Sequence, residues 1–206
     1  MRQLAEGGIG GRRYAAFAKT CTKCYNSNTR RCNMELFDLY DDERNFTGET
    51  IERGAPLPES RYHLVIHICI LGSDGKMLIQ QRQPFKKSFP GKWDVSVGGS
   101  AVAGENSRQA ASRELYEELG ISHDFSHDRP MLTVHFERGF DDVYVIHKDI
   151  AVSELKLQAE EVQAAKWADR DEIYSLIDSG AFIPYYKSYI DMLFNYRTKR
   201  GNFSKE

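Results

Sequence analysis

The chain has 206 residues, 41% hydrophobic and 28% charged, which suits one globular domain with an appendage better than two full domains. Its formal net charge of −2 is unevenly spread: residues 1–33 hold seven Lys/Arg and one acid, Glu6, leaving 28 − 7 = 21 basic and 30 − 1 = 29 acidic residues, or −8, in the rest. An acidic body lacks the basic face that a nucleic-acid polymer requires and suits a protein that concentrates carboxylates to hold cations, and no apolar run approaches the roughly 20 residues that span a bilayer, so the expectation is a cytoplasmic protein.

Residues 1–33 differ from the remainder of the chain: they are rich in Gly and Arg, lack an apolar period and hold Cys21, Cys24 and Cys32. A Cys-x-x-Cys pair with a third cysteine suggests part of a zinc site, but no fourth ligand stands nearby. The segment therefore reads as a disordered leader, or as sequence ahead of a start at Met34. An Arg-rich, acid-poor leader also has the composition of an organelle transit peptide. Residues 34–206 form the expected domain.

From Glu35 the pattern is regular. Leu36–Asp41 predicts a short strand and Arg44–Glu52 a turn and a second strand, with Pro56 and Pro58 leading into the main domain. His63–Leu71 is a nearly continuous apolar run, the mark of a strand buried on both faces. Ser73-Asp74-Gly75 turns the chain, and Lys76–Arg82 returns as its hairpin partner. After a loop over 83–92, Trp93–Val97 predicts another strand, ending at Gly98-Gly99. A helix is expected over 106–119, stopped by Gly120 in a left-handed cap. Strands come next near 131–137, 143–150 and 162–168, then helices over 170–178 and 185–197. The expected architecture is α+β: a mixed sheet sandwiched between helices, with short N-terminal strands.

The helix carries the chemistry. Glu114, Glu117 and Glu118 are spaced i, i+3, i+4, so at about 100° per residue they share one face. Ala111, Leu115 and Leu119 make an apolar stripe beside it. Like charges about 4 Å apart repel by roughly 4 kcal/mol at an effective dielectric of 20, so the cluster either splays into water or holds a cation. A hard divalent ion such as Mg²⁺ takes oxygen ligands and turns this repulsion into attraction. Arg113 stands one turn before Glu117 and can brace a carboxylate.

Over residues 99–121 the spacing is Gly99, five residues, Glu105, seven residues, Arg113-Glu114, Leu115, one residue, Glu117-Glu118, one residue, Gly120 and Ile121. It resembles the signature of the Nudix hydrolases at all nine defined positions. The flanking runs also resemble the Nudix fold, over roughly residues 34–200. The resemblance implies a Mg²⁺- or Mn²⁺-dependent pyrophosphohydrolase cleaving a diphosphate linkage in a nucleoside diphosphate derivative or related small molecule. Glu114, Glu117, Glu118 and the Gly98 carbonyl would bind the metal, with Arg113 and Glu105 as orienting groups. Glu114 is the first choice of general base; Glu160 or Glu161, from a later loop, is the second. Arg82 lies where the family often places a phosphate-contacting cation. His63, His67 and His147 alternate with apolar residues, where structural roles dominate.

Two rival readings compete with this one. Trp93–Ser100 resembles the same stretch of isopentenyl-diphosphate isomerases, the neighbours of the bacterial subgroup this chain is most similar to. However, Gly98 stands where those enzymes carry a catalytic cysteine and Ser100 where they carry a metal-binding histidine. A non-catalytic nucleotide-sensing Nudix module is the other rival, though such modules usually lose box glutamates and this chain keeps all of them. A homodimer contact through strands 36–52 or helix 185–197 is one expectation for those elements, and packing on their own domain the other.

Overall fold

The computed structural model describes residues 35–196. The leader with Cys21, Cys24 and Cys32, and the expected helix end at Arg197, lie outside the described residues.

Within those residues, nine strands and three helices alternate along the chain. Strands β1 (Leu36–Tyr40) and β2 (Phe46–Glu52) form an antiparallel hairpin of their own. The main sheet is mixed and seven-stranded. Its centre is β3 (His63–Leu71), which runs parallel to β8 (Gly139–His147) over nine residues. The other edge of β3 is shared: its end at Ile70–Leu71 pairs with β4 (Met77–Arg82), and Val65–Ile68 pair with β6 (Val97–Ser100). Short β5 (Trp93–Asp94) and β9 (Val162–Ala168) pair with β4, and β7 (Leu132–Phe136) closes the far edge against β8.

The alternation along β3 builds two cores. Ile66, Ile68 and Ile70 meet Ala110, Ala111, Leu115 and Leu119 of helix α1 (Ser107–Leu119), all buried. Cys69 and Leu71 meet Ile173 of α2 (Arg170–Asp178) and Ile190, Leu193 and Phe194 of α3 (Lys187–Asn195). Both faces are covered, which is why β3 reads as an unbroken apolar run. Each fully buried Leu or Ile contributes roughly 1.5–3 kcal/mol. The apolar face of α3 is thus spent on its own domain.

Two boundaries differ from expectation. The strand expected over 93–97 is broken in two, because the chain crosses from β4 to β3 at Ser96. The Ser96 hydroxyl accepts from the Ile70 N–H (2.8 Å) and donates to the Leu78 carbonyl (2.5 Å), taking the place of backbone pairing. The strand expected from Val143 begins instead at Gly139, because Asp141 and Asp142 are strand residues with partners on opposite faces. Asp141 meets His67. Asp142, buried, takes two hydrogen bonds from Arg44 (2.9 and 2.5 Å), at the turn of the β1–β2 hairpin.

Candidate active site

Local sequence fixes the position of α1 at both ends. Asn106 caps it, accepting from the N–H groups of Arg108 and Gln109 (3.1 Å each) while the Gln109 side chain accepts from the Asn106 N–H (2.9 Å). Gly120 ends it with φ 71°, a conformation costly for a side chain bearing Cβ. Between these caps the buried stripe holds the helix over the junction of β3, β4 and β6. Its acidic face therefore points at the place where the sheet divides.

Arg113 organises that face. Its Nε and Nη2 donate to the two Glu105 oxygens (2.8 and 2.9 Å), and Nη2 also donates to the Ser100 carbonyl (3.1 Å). Nη1 reaches Glu114 (2.9 Å) and Glu117 (3.2 Å). Glu105 in turn accepts from the Val102 N–H (3.1 Å), tying the loop before the helix to the helix itself. The expected orienting pair is therefore a bidentate clamp.

The three helix carboxylates do not share one environment. Glu117 has a side chain 48% exposed and turned toward Arg113. Glu114 packs on the backbone of Gly99, where a methyl group would collide with its carboxyl. Burial first, then the charge of Glu117, raise its pKa against the opposing pull of Arg113 and Arg53. Glu118 is only 4% exposed. It accepts from the Gln80 amide (2.9 Å). Burial, followed by the negative charge of Glu114, pushes its pKa up to about 8, with Glu161 and Asp94 adding to the effect. Among the described residues, no three Asp, Glu, His or Cys side chains stand together as a ready-made metal cage. The donor set nonetheless fits a hard divalent cation. A buried carboxylate, Glu118, and a mostly covered one, Glu114, repel each other, and the Gln80 side-chain amide oxygen at the same place is buried with no hydrogen-bond partner.

The other expected residues divide. Glu161 is brought to the site: the Gln158 N–H donates to the Glu118 carbonyl (3.0 Å), and Glu161 beyond it pairs with Lys86. Glu160 stays exposed. Arg82 is drawn inward toward Asp94 (3.6 Å) and donates to the Ser88 carbonyl (3.2 Å). Gly98 pairs with His67 across β3 and β6.

His67 itself was expected to be structural, yet it joins a polar group at the site's edge. Its Nδ1 lies 2.8 Å from Asp141. Burial alone would lower its pKa, but the charge and hydrogen bond of Asp141, then Asp94 and Glu118, raise it to about 9. Tyr185 donates to Asp94 (3.0 Å) and stands 3.5 Å from His67 Nε2. Asp94, Asp141 and Gln80 are not singled out by the sequence. The one hint is a polar residue within each of several otherwise apolar strands.

Known proteins resemble this chain in sequence and fold. Residues 61–187, well over half of the chain, match the NUDIX domain. The chain belongs to the Nudix hydrolase family. A Nudix hydrolase of Listeria monocytogenes is 48% identical over 162 residues, covering 79% of this chain and 95% of the relative. An isopentenyl-diphosphate isomerase of Corynebacterium diphtheriae is 26% identical, covering 73% and 87% respectively. In fold, a crystal structure from Deinococcus radiodurans superposes with a TM-score of 0.64 at 24% identity, covering 80% of this chain and all of that one. Pyrophosphate hydrolysis with the help of divalent metal ions is general for Nudix hydrolases, and the mixed sheet between helices is their fold.

Proposed function

We propose that this Nudix hydrolase cleaves the diphosphate linkage of a nucleoside diphosphate derivative or a related small molecule, with Mg²⁺ or Mn²⁺ held by Glu114, Glu117, Glu118 and the Gly98 carbonyl. The observation that carries this reading is the pairing of buried Glu118 with a Glu114 side chain only 13% exposed and packed on Gly99, with Arg113 the sole ion-pair partner of the two among the described residues. Two carboxylates kept out of water in this way are unstable alone and suited to a divalent ion. Such an ion, when bound, screens phosphate oxygens and lowers the pKa of a water molecule.

The chain's own residues do the rest. Arg113 and Glu105 hold the helix face in register with the loop, so that Glu114 is aimed before substrate arrives. Glu114 accepts the proton of the attacking water, as the carboxylate packed on the Gly99 backbone. Glu161 is the alternative base, since its charge already bears on Glu118, although Lys86 must release it. Gln80 orients Glu118 through its amide. Arg82 meets a substrate phosphate only if its pairing with Asp94 opens, because its charge is otherwise shared there.

The isomerase reading is disfavoured by position 98. A methyl group built there would sit 2.9 Å from the His67 ring, so this site has neither the thiol nor the space for it. No described helix is long and apolar enough to cross a membrane. The proposed setting for the enzyme and its small anionic substrate is the cytoplasm. The test is phosphomonoester release from a panel of nucleoside diphosphate derivatives with Mg²⁺ or Mn²⁺, read as phosphate freed by an added phosphatase that does not attack the diphosphate, compared with Glu118→Gln. Release abolished by the substitution supports the hydrolase. Ligand-induced thermal stabilisation without turnover supports a sensor instead.

A further inference from the structure

The β1–β2 hairpin places a cation at the edge of this site that the proposed reaction leaves unused. Arg113 is already committed to Glu105, Glu114 and Glu117, whereas Arg53, the residue after β2, sits where the hairpin meets the loop before α1: its N–H donates to the Glu35 carbonyl (2.8 Å), and the next residue, Leu36, takes the Ala103 N–H on its carbonyl. The Arg53 side chain is 56% exposed. Its guanidinium lies 6.0 Å from the centre of the Phe37 ring and donates to Glu35 (2.5 Å). Glu35 is itself exposed, so water screens the pair and an incoming phosphate can displace it.

The hairpin is not a loose appendage. The Ala103 N–H donates to the Leu36 carbonyl (2.7 Å), and the Gly104 N–H to the Asp38 carboxylate (2.8 Å). Both donors belong to the loop between β6 and α1, so the hairpin is joined directly to the loop that carries Glu105, the partner of Arg113. Phe37 stacks on His63 (centroids 5.4 Å, planes 14° apart), which fixes the platform under Arg53. The other nearby cations are engaged: Arg82 with Asp94 and Lys86 with Glu161. A polyanion approaching the loop before α1 from the hairpin side thus meets a guanidinium whose only side-chain ion-pair partner among the described residues is a partly exposed glutamate.

We propose that Arg53 binds the diphosphate of the substrate, which makes the N-terminal hairpin one wall of the active site. The inference rests on the hydrolase reading for the identity of the substrate, but it can be tested without turnover. Titration calorimetry with inorganic pyrophosphate in Mg²⁺ buffer gives the binding constant directly. Losing a charged hydrogen-bond donor in Arg53→Gln should raise Kd about tenfold or more, with Arg53→Lys recovering part of the loss. Glu35→Gln breaks the same ion pair but keeps the guanidinium, so it should leave Kd unchanged or lower it. Melting curves establish that each variant is folded. Equal Kd in Arg53→Gln and the parent protein overturns the proposal, as does an equal rise in Glu35→Gln, which would mean that the ion pair only shapes the hairpin. Failure of the parent to bind pyrophosphate also overturns it. Arg53-dependent binding with no turnover on any diphosphate would instead refute the hydrolase reading and leave this contact standing. With a turned-over substrate in hand, Arg53→Gln should raise KM about tenfold while kcat stays within about threefold.

Discussion

Removing the charge of Glu118 should make the metal-free protein more stable while it destroys the enzyme. The carboxyl is 4% exposed, lies against Glu114 and has only the Gln80 amide as a compensating donor among the described residues. Its pKa rises from an ordinary 4.5 to about 8 on folding. An acid raised in this way binds its proton more tightly when folded, so it weakens the fold as pH climbs through 4.5 and ceases to add to the loss above about 8. At about 1.4 kcal/mol per tenfold, the ceiling is about 5 kcal/mol at high pH, and relaxation of the coupled pair brings the expectation down to about 2–4 kcal/mol. Glu118→Gln keeps the volume and the hydrogen bond to Gln80 but removes the charge. Urea melts in chelator should therefore show equal stability for the two proteins near pH 4.5 and a variant about 2–4 kcal/mol more stable near pH 8.5. Adding Mg²⁺ at the higher pH should raise the melting temperature of the parent and leave the variant nearly unmoved, because an ion that binds only the folded state stabilises it by mass action. A variant less stable than its parent at pH 8.5, or a gap independent of pH, would refute the claim that this carboxylate is held in place against its own electrostatics.

Other expectations test neighbouring parts of the same site. Glu114→Gln should lower kcat by about a hundredfold or more with a folded protein, measured as steady-state phosphate release. Gly99→Ala should cost about a hundredfold in activity with little change in melting temperature, because the added methyl displaces the Glu114 carboxyl rather than a core side chain. Arg44→Ala strands the buried Asp142 and should cost about 2–4 kcal/mol in urea melts near neutral pH, toward the lower end because Arg44 is 35% exposed. Burial works to raise the Asp142 pKa, but the bonds from Arg44, Ser107 and Thr133 outweigh it and hold it below 3.8, so the difference should vanish as pH falls through that lowered value. Deletion of residues 1–33 should leave activity in the same assay intact.

Much of the fold could be read from the chain because local signals agreed with it. The caps at Asn106 and Gly120 and the stripe Ala111, Leu115, Leu119 specify α1 without reference to any other element. The double burial of β3 shows as an uninterrupted apolar run. What could not be read depends on partners distant in sequence. Asp141 and Asp142 side by side look like a loop, since nothing local shows that one meets His67, 74 residues away, and the other Arg44, 98 residues away. Ser96 breaks a strand because its hydroxyl bridges Ile70 and Leu78, which no period reveals. On the helix, geometry put Glu114, Glu117 and Glu118 on one face, but their unequal burial comes from where Arg113 and Gly99 happen to stand.

The same distinction bears on the neighbouring isomerases. Over Trp93–Ser100 the sequences look alike, and overall identity of 26% places one of them within reach of this chain. Position 98 separates them for a reason that involves more than the missing thiol. His67 is fixed by Asp141 on one nitrogen and by the ring of Tyr185, 6.4 Å between centroids, on its far side. Its ring therefore cannot swing away from β6 without breaking its contact with Asp141, and the space over Gly98 is already taken. Introducing cysteine there would push against the imidazole rather than add a proton-transferring group. The space at position 98 is thus set by a histidine on β3 as much as by the glycine on β6. A single substitution at the glycine is not expected to convert one enzyme into the other.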